Sequence, residues 1–170
     1  MTARPGLVGF RISATESAGL EWGRISETWA LAGELPVLSA GGMSDHLSDA
    51  GRDRNGPAFE ALTLAASLAG RVPGKWIGTA VVSNTFRHPA LVAKGATLLD
   101  AVTGGRFVLG LGAGWHEGEH RAFGIPLPPI RERFERYEHA VATIDALFSD
   151  AARRAPGVTG GGSLVASRSG

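Results

Sequence analysis

The chain has no cysteine among its 170 residues. That absence excludes a disulfide framework and any thiolate metal site, and it fits a reducing compartment. Charge of either sign is not in excess, because 17 basic and 16 acidic residues leave a net charge of +1. No cluster of Lys or Arg builds the local field that nucleic acid or an anionic membrane surface requires, so neither is an expected partner. Long hydrophobic runs are missing as well. The stretch from Leu7 to Ile12 is too short and too broken for a signal segment or a membrane span, and a cytoplasmic protein is expected. What is present is a globular composition, 44% hydrophobic and 19% charged, at a length that suits one domain.

Taken in order, the chain alternates between the periods of strands and helices. Residues 6–13 carry Leu7, Val8, Phe10 and Ile12 in a short apolar run that predicts a first strand. Residues 21–35 place Trp22, Ile25, Trp29 and Ala32 on one helical stripe, which Pro36 closes. A weak second strand follows over 37–43, with Ser44, Asp45, His46 and Leu47 at its carboxyl end. Pro57 suits the first turn of a second helix reaching Gly70, with Asn55 as its cap. Trp76 to Ser83 is nearly continuous in apolar residues, as a parallel strand covered on both faces should be. Pro89 opens a third helix that Gly104 and Gly105 end, with Leu91, Val92, Leu98, Leu99 and Val102 as its inner face. Residues 106–111 form the fourth strand. Residues 112–129 read as an irregular functional loop. Ile130, Phe134, Tyr137, Val141, Ile144 and Phe148 then recur at helical spacing. Past Asp150 the apolar pattern collapses, so residues 151–170 are expected to be a disordered tail behind a domain of residues 1–150.

Four successive strand-then-helix units imply a parallel sheet with right-handed crossovers, in either a doubly wound sheet or part of a (β/α)8 barrel. Both place ligands at the carboxyl ends of the strands. Here those ends are Asp45 and His46, residues 83–88, and residues 112–124.

Three patterns at these ends invite chemical readings. Gly110-Leu111-Gly112-Ala113-Gly114 begins like a dinucleotide fingerprint, but its sixth position is Trp115 and no helix is expected to follow at once. The alternative is that these glycines let backbone or a flat ligand come close. His116-Glu117-Gly118-Glu119-His120 has the spacing of a zinc hydrolase motif. Gly114 and Gly118 oppose the stable helix that motif needs, and no metal ligand is assigned. Asp45 and His46 juxtapose a carboxylate and an imidazole, suited either to proton donation or to capping the next loop. Asn84 and Thr85 suit a ligand's carbonyl and imide groups or the cap of the third helix. Arg87 and His88 suit contact with an anion, but a solvated surface face is the expectation for each. Trp115 is either a stacking wall or a lid on the loop's own prolines.

The stretches Asn84-Thr85-Phe86-Arg87-His88-Pro89-Ala90, Thr103-Gly104-Gly105-Arg106-Phe107-Val108-Leu109-Gly110-Leu111-Gly112-Ala113-Gly114-Trp115, Glu119-His120-Arg121-Ala122-Phe123-Gly124 and Arg131-Glu132-Arg133-Phe134 are the most specific in the chain. Together they resemble the bacterial luciferase-like family of flavin- and deazaflavin-dependent oxidoreductases. Ser44-Asp45-His46-Leu47 is similar to the same family's motif after its second strand. The resemblance implies an α/β fold, an incomplete TIM (β/α)8 barrel of about four βα units, since a whole barrel takes about 250 residues. It implies FMN or coenzyme F420 as cofactor, without distinguishing them. The ring would be bordered by Asp45, Ala80, Val81, Asn84, Gly112 and Gly114, with a non-prolyl cis peptide near Ala80 and Val81. His46 would be the proton donor or substrate contact. Gly42 and Trp115 depart from the family pattern, which more often has an aromatic residue and, in some deazaflavin enzymes, a glutamate there.

The expectation is therefore a luciferase-like oxidoreductase or monooxygenase, truncated and with little activity alone. An alternative is a non-catalytic half-barrel that pairs with another chain, as a homodimer through exposed edges. A zinc hydrolase is the third.

Overall fold

The computed structural model describes residues 9–11, 21–48, 58–154 and 163–166. In chain order the elements are β1 (Gly9–Arg11), α1 (Trp22–Glu34), β2 (Ala40–Met43), α2 (Ala61–Leu68) with a 3-10 turn over Ala69–Arg71, β3 (Trp76–Thr79), β4 (Val82–Ser83), α3 (Pro89–Thr103), β5 (Phe107–Gly112), α4 (Glu117–Phe123), α5 (Ile130–Arg154) and β6 (Ser163–Ala166). None of the described helices is long and apolar enough to cross a membrane.

All strand pairings are parallel: β1 on β2, β2 on β3, β3 and β4 both on β5, and β5 on β6. A doubly wound sheet would reverse its strand order at a switch point. No reversal occurs across the described strands, and the choice between the two α/β architectures falls to part of a (β/α)8 barrel.

β3 and β4 are two halves of one strand. Ile77 pairs with Phe107 but Val82 pairs with Leu111, so the offset falls from thirty residues to twenty-nine and one residue is extruded between them. The peptide bond between Ala80 and Val81 is cis, at the position the family resemblance implies. Across this break the Thr79 side chain stands in for the ladder. Its Oγ1 donates to Gly110 O at 3.0 Å and accepts from Gly110 N at 3.1 Å. Such a side-chain bridge satisfies backbone groups that a bulge leaves unpaired. Room for it comes from β5: a Cβ at Gly110 would lie 2.3 Å from Thr79 O, and one at Gly112 would lie 2.6 Å from Val81 Cγ2.

The core lies between this sheet and its helices. Ile25 and Trp29 of α1, Leu64 and Leu68 of α2, and Val92, Ala96 and Leu99 of α3 are buried against Met43, Ile77, Leu109 and Leu111. From α5, Tyr137, Ala140 and Ile144 join them, while Phe134, Val141 and Phe148 pack at the margin.

Several expected boundaries move. α2 begins at Ala61, capped by the Glu60 carboxylate, which accepts from Leu62 N at 3.0 Å and Thr63 N at 2.8 Å; Asn55 and Pro57 lie outside the described residues. On α3, Leu91, Leu98 and Val102 are exposed. The buried face is instead Val92, Ala93, Ala96, Leu99 and Thr103, because the close approach of α2 and α5 favours small residues there. α4 is a helix where an irregular loop was expected. The disordered tail is corrected at two places: α5 continues through Arg154, and Ser163–Ala166 is a strand paired to Val108–Leu111 of β5. An apolar Leu164-Val165 pair suffices for a short strand when a paired partner already supplies the template.

The bulge makes a stability prediction. Gly110→Ala, which sets a methyl against backbone, should lower the unfolding free energy by about 1–3 kcal/mol. Gly42→Ala, whose Cβ would meet nothing nearer than Gly78 O at 3.7 Å, should be neutral or gain up to about 1 kcal/mol. Urea midpoints of the two variants check both.

Candidate functional site

The carboxyl ends of β2, β4 and β5 converge on a cavity of about 190 Å³. Asp45, His46, Ala80, Val81, Gly112 and Gly114 all line it, as do Ser44, Ser83, Phe86, Trp115, His116 and Glu119. The structure thus brings together six of the seven residues that the sequence singled out. Asn84 is the exception. It faces a broader depression of about 710 Å³ between the β4 exit and α5. Its backbone N donates to Gly112 O at 2.9 Å, and its buried Oδ1 has no hydrogen-bond partner among the described residues.

Asp45 sits beneath the cavity rather than in its opening. Its side chain is 0% exposed and takes both arms of Arg87, from Nη1 to Oδ2 at 2.5 Å and from Nη2 to Oδ1 at 2.7 Å. Ser83 N adds a bond to Oδ2 at 2.8 Å, and Ala61 N a longer one to Oδ1 at 3.4 Å. Arg87 reaches Glu60 as well. Burial works against the Arg87 cation, but the hydrogen bonds and charges of Asp45 and Glu60 outweigh it and hold its pKa above the ordinary value. Arg87 is therefore no solvated cation, as the sequence suggested, but the centre of a forked ion pair. His88 is exposed as expected, and there its Nδ1 accepts from Ala90 N at 3.2 Å and caps α3. That role leaves Asn84 and Thr85 free of capping.

His46 lies next in the chain and turns the other way. Its Nδ1 stands 3.0 Å from Glu119 Oε2. Glu119, 1% exposed, also accepts Leu47 N at 2.8 Å and Ser48 N at 3.0 Å on Oε1. Burial pushes the Glu119 carboxyl up, yet the His46 contact and the two amides outweigh it and leave its pKa below the ordinary 4.5. Three donors around one carboxylate are what keep such a buried charge in place.

Glu119 belongs to the pentapeptide read as a possible zinc motif, and the geometry gives its two histidines other work. His116 precedes α4 and caps it, its Nδ1 accepting from Glu119 N at 3.0 Å. Gly118 is not a helix breaker here; a Cβ on it would lie 2.9 Å from His116 Cε1, so its bareness lets the imidazole fold back into the capping position. His120 uses both ring nitrogens, with Nδ1 2.8 Å from His116 O and Nε2 2.8 Å from Thr85 Oγ1. Among the described residues no group of three His, Asp or Glu side chains could hold a metal ion.

Thr85 Oγ1 is also 2.8 Å from Ser83 Oγ. For a neutral His120 the donors follow in one direction: Nδ1–H to the His116 carbonyl, Thr85 O–H to Nε2, and Ser83 O–H to Thr85. Ser83 then offers only lone pairs to the cavity. Gly114, at φ +82°, closes over this chain, since a Cβ there would lie 2.4 Å from Thr85 Oγ1. Its carbonyl is pinned by Arg133 Nη1 of α5 at 2.6 Å. Trp115 follows, 60% exposed, edge-on to His46 with ring centres 6.2 Å apart. It is one of the walls of the cavity.

The residues fit a flat ring. The floor is strand-end backbone at Ala80, Val81 and Gly112, one wall is aromatic, and the polar groups sit at the edges. A volume of about 190 Å³ is below the roughly 300–1,000 Å³ of a whole-ligand site, so it suits a ring system and not an entire cofactor.

Sequence reading overlooked Glu119 as a partner of His46 and Arg87 as a partner of Asp45. The signal for Glu119 was an acid in the first turn of a short helix at a strand exit, visible only once α4 is recognised.

Two measurements test these pairs. Arg87→Met strands the Asp45 carboxylate and should cost about 3–5 kcal/mol of unfolding free energy. For Glu119 the folded pKa lies below the unfolded 4.5, so its contribution is full above that value and lost as pH falls through the folded one. The stability gap between wild type and Glu119→Gln should close as the pH is taken down below 4.5.

Comparison with known proteins points the same way. Over 148 residues the chain is 32% identical to the F420-dependent glucose-6-phosphate dehydrogenase of Kineococcus radiotolerans, covering 86% of this chain and 42% of the relative. Over 92 residues it is 32% identical to the FMNH(2)-dependent dimethylsulfone monooxygenase of Pseudomonas putida, covering 54% of this chain and 22% of that one. An F420-dependent secondary alcohol dehydrogenase solved with an F420-acetone adduct superimposes with a TM-score of 0.68 at 20% identity, over 84% of this chain and 42% of that structure. The chain thus spans about two fifths of the length of the dehydrogenases it matches. The family model described as luciferase-like monooxygenase matches residues 14–162, twelve residues past the boundary expected at Asp150. The chain belongs to the luciferase-like monooxygenase family.

Proposed function

We propose that this chain provides the ring-binding wall of an F420- or FMN-dependent oxidoreductase, with His46 handling the proton at the substrate. One observation carries the reading: an imidazole held on a buried carboxylate opens onto a ring-sized cavity whose floor is bare strand-end backbone. The relatives divide between F420 and FMN enzymes, and the cavity is compatible with either ring. When bound, the cofactor supplies the two-electron chemistry, as a hydride carrier in the deazaflavin case or as the oxygen-activating group in the flavin case.

The chain's own residues supply the rest. Ala80, Val81, Gly112 and Gly114 set the plane of the ring by backbone approach, and Ser83 accepts from a polar edge. Trp115 keeps water from the ring's open side. His46 takes or returns the proton that accompanies the redox change at the substrate oxygen, as a general acid or base placed at the cavity wall. Asp45 touches none of these atoms and acts by holding the β2 exit.

The described residues form one wall, and the cavity is too small for a cofactor's tail. We therefore expect the 170-residue chain by itself to bind cofactor weakly and turn over little. Titration with FMN and with F420, followed by fluorescence, should show binding that His46→Gln preserves and Gly112→Val abolishes. Equal loss in both variants would place His46 in binding and not in proton transfer.

A second reading, two copies paired without catalysis, is favoured by Leu91, Leu98 and Val102, which stand exposed along one side of α3. Sedimentation decides it: a monodisperse dimer that Leu98→Lys dissociates supports pairing, and a monomer at all concentrations removes it.

A further inference from the structure

Within that reading of His46 as the proton-handling group, we infer that Glu119 is its positioning residue: the carboxylate fixes His46 in the Nδ1–H tautomer, so that Nε2 meets the cavity as a bare acceptor.

The inference starts from donor and acceptor inventory. Glu119 Oε1 is taken by two backbone N–H groups, from Leu47 and Ser48. Those amides can only donate, and a carboxylate so held has no proton to give. The remaining oxygen, Oε2, therefore needs a donor, and His46 Nδ1 at 3.0 Å is the group in place. His116 cannot serve. Its Nδ1, 4.0 Å from Oε2, is already the acceptor for Glu119 N. Asp45, the adjoining carboxylate, is committed to Arg87, Ser83 and Ala61 and does not reach the ring.

With Nδ1 committed, Nε2 is the nitrogen left to the cavity that His46 lines, and it has no partner among the described residues. The Trp115 and His116 rings stand edge-on at 6.2 and 6.3 Å and limit its rotation. A neutral imidazole held this way is ready to accept a proton, and the same carboxylate steadies the cation that results. Glu119 also holds the two residues after His46, so ring orientation and backbone path depend on one side chain. The two partners are 73 residues apart in sequence, which is why no local motif announces the pair.

The substitution Glu119→Gln separates positioning from mere support. The Gln amide oxygen can still accept from Leu47 N and Ser48 N. Its NH2 then faces His46 Nδ1 and can only donate. The tautomer should invert, leaving Nε2–H towards the cavity and no acceptor for a substrate proton.

Long-range 1H–15N correlation of the histidine rings at neutral pH, on the labelled chain without cofactor, reads this directly, with His46→Gln assigning the signals. The expected wild-type pattern is a pyrrole-type Nδ1 and a pyridine-type Nε2, exchanged in Glu119→Gln. A wild type with Nε2–H, or a Glu119→Gln spectrum unchanged from wild type, overturns the assignment. If Glu119→Gln does not fold, the wild-type pattern alone decides. The functional reading fails separately. A wild type with Nδ1–H that binds neither FMN nor F420 keeps the tautomer assignment and loses the oxidoreductase. One that binds either cofactor but carries Nε2–H does the reverse.

Discussion

The structure around the cavity depends on the buried ion pair between Asp45 and Arg87. One carboxylate with no exposed surface collects a bidentate guanidinium and the backbone amides of Ser83 and Ala61. Those donors come from the β4 exit, the turn before α3 and the start of α2, so a single charge registers three segments against the end of β2. Burying a carboxylate is costly, and it is tolerated when every lone pair is met with good geometry. Four donors do so here. The consequence for function is indirect but firm: His46 follows Asp45 in the chain, and its backbone starts from a point that cannot drift.

The second constraint is steric. β3 and β4 carry one residue more than β5 between their pairing points, and the excess is taken up at Ala80 and Val81. That is possible because β5 offers no side chain at Gly110 or Gly112, where Thr79 O and Val81 Cγ2 crowd in. The glycines first suggestive of a phosphate loop therefore serve strand against strand. Gly112, at the strand end, also leaves bare backbone lining the cavity. Packing need and ligand access are met by the same residues.

Much of this was legible locally. Trp76 to Ser83 reads as a covered strand, Pro89 and Gly104 mark the ends of α3, and the α5 stripe through Tyr137 and Ile144 is buried as its period requires. The cavity residues were legible through family resemblance and not through periodicity. What escaped was non-local or contextual. Leu91, Leu98 and Val102 look like a core stripe on hydrophobicity alone, yet neighbouring helices press on the smaller Ala93 and Ala96. Gly118 looks like a breaker until the His116 ring is seen in the space it leaves. The β6 strand has almost no apolar pattern and exists because Val108–Leu111 offers it a paired edge.

The pentapeptide from His116 to His120 shows most clearly how context redirects a motif. The spacing that places two histidines one turn apart would suit a metal if both rings pointed to one side. Here His116 lies before the helix and caps it, which turns its ring back, and His120 is drawn to Thr85. The two rings are spent on different partners, and Glu119, the second of the two glutamates between them, reaches across to His46. Each of these contacts crosses from the β5 exit to another strand's exit: Glu119 to the end of β2, His120 to the end of β4. The motif's value is thus topological. In a parallel sheet the strand exits lie in a row, and the seven-residue helix after β5 reaches the adjoining β4 exit through His120 and the β2 exit beyond it through Glu119. The short helix, stopped at Gly124 in the left-handed conformation, is what lets one segment close the site on two sides.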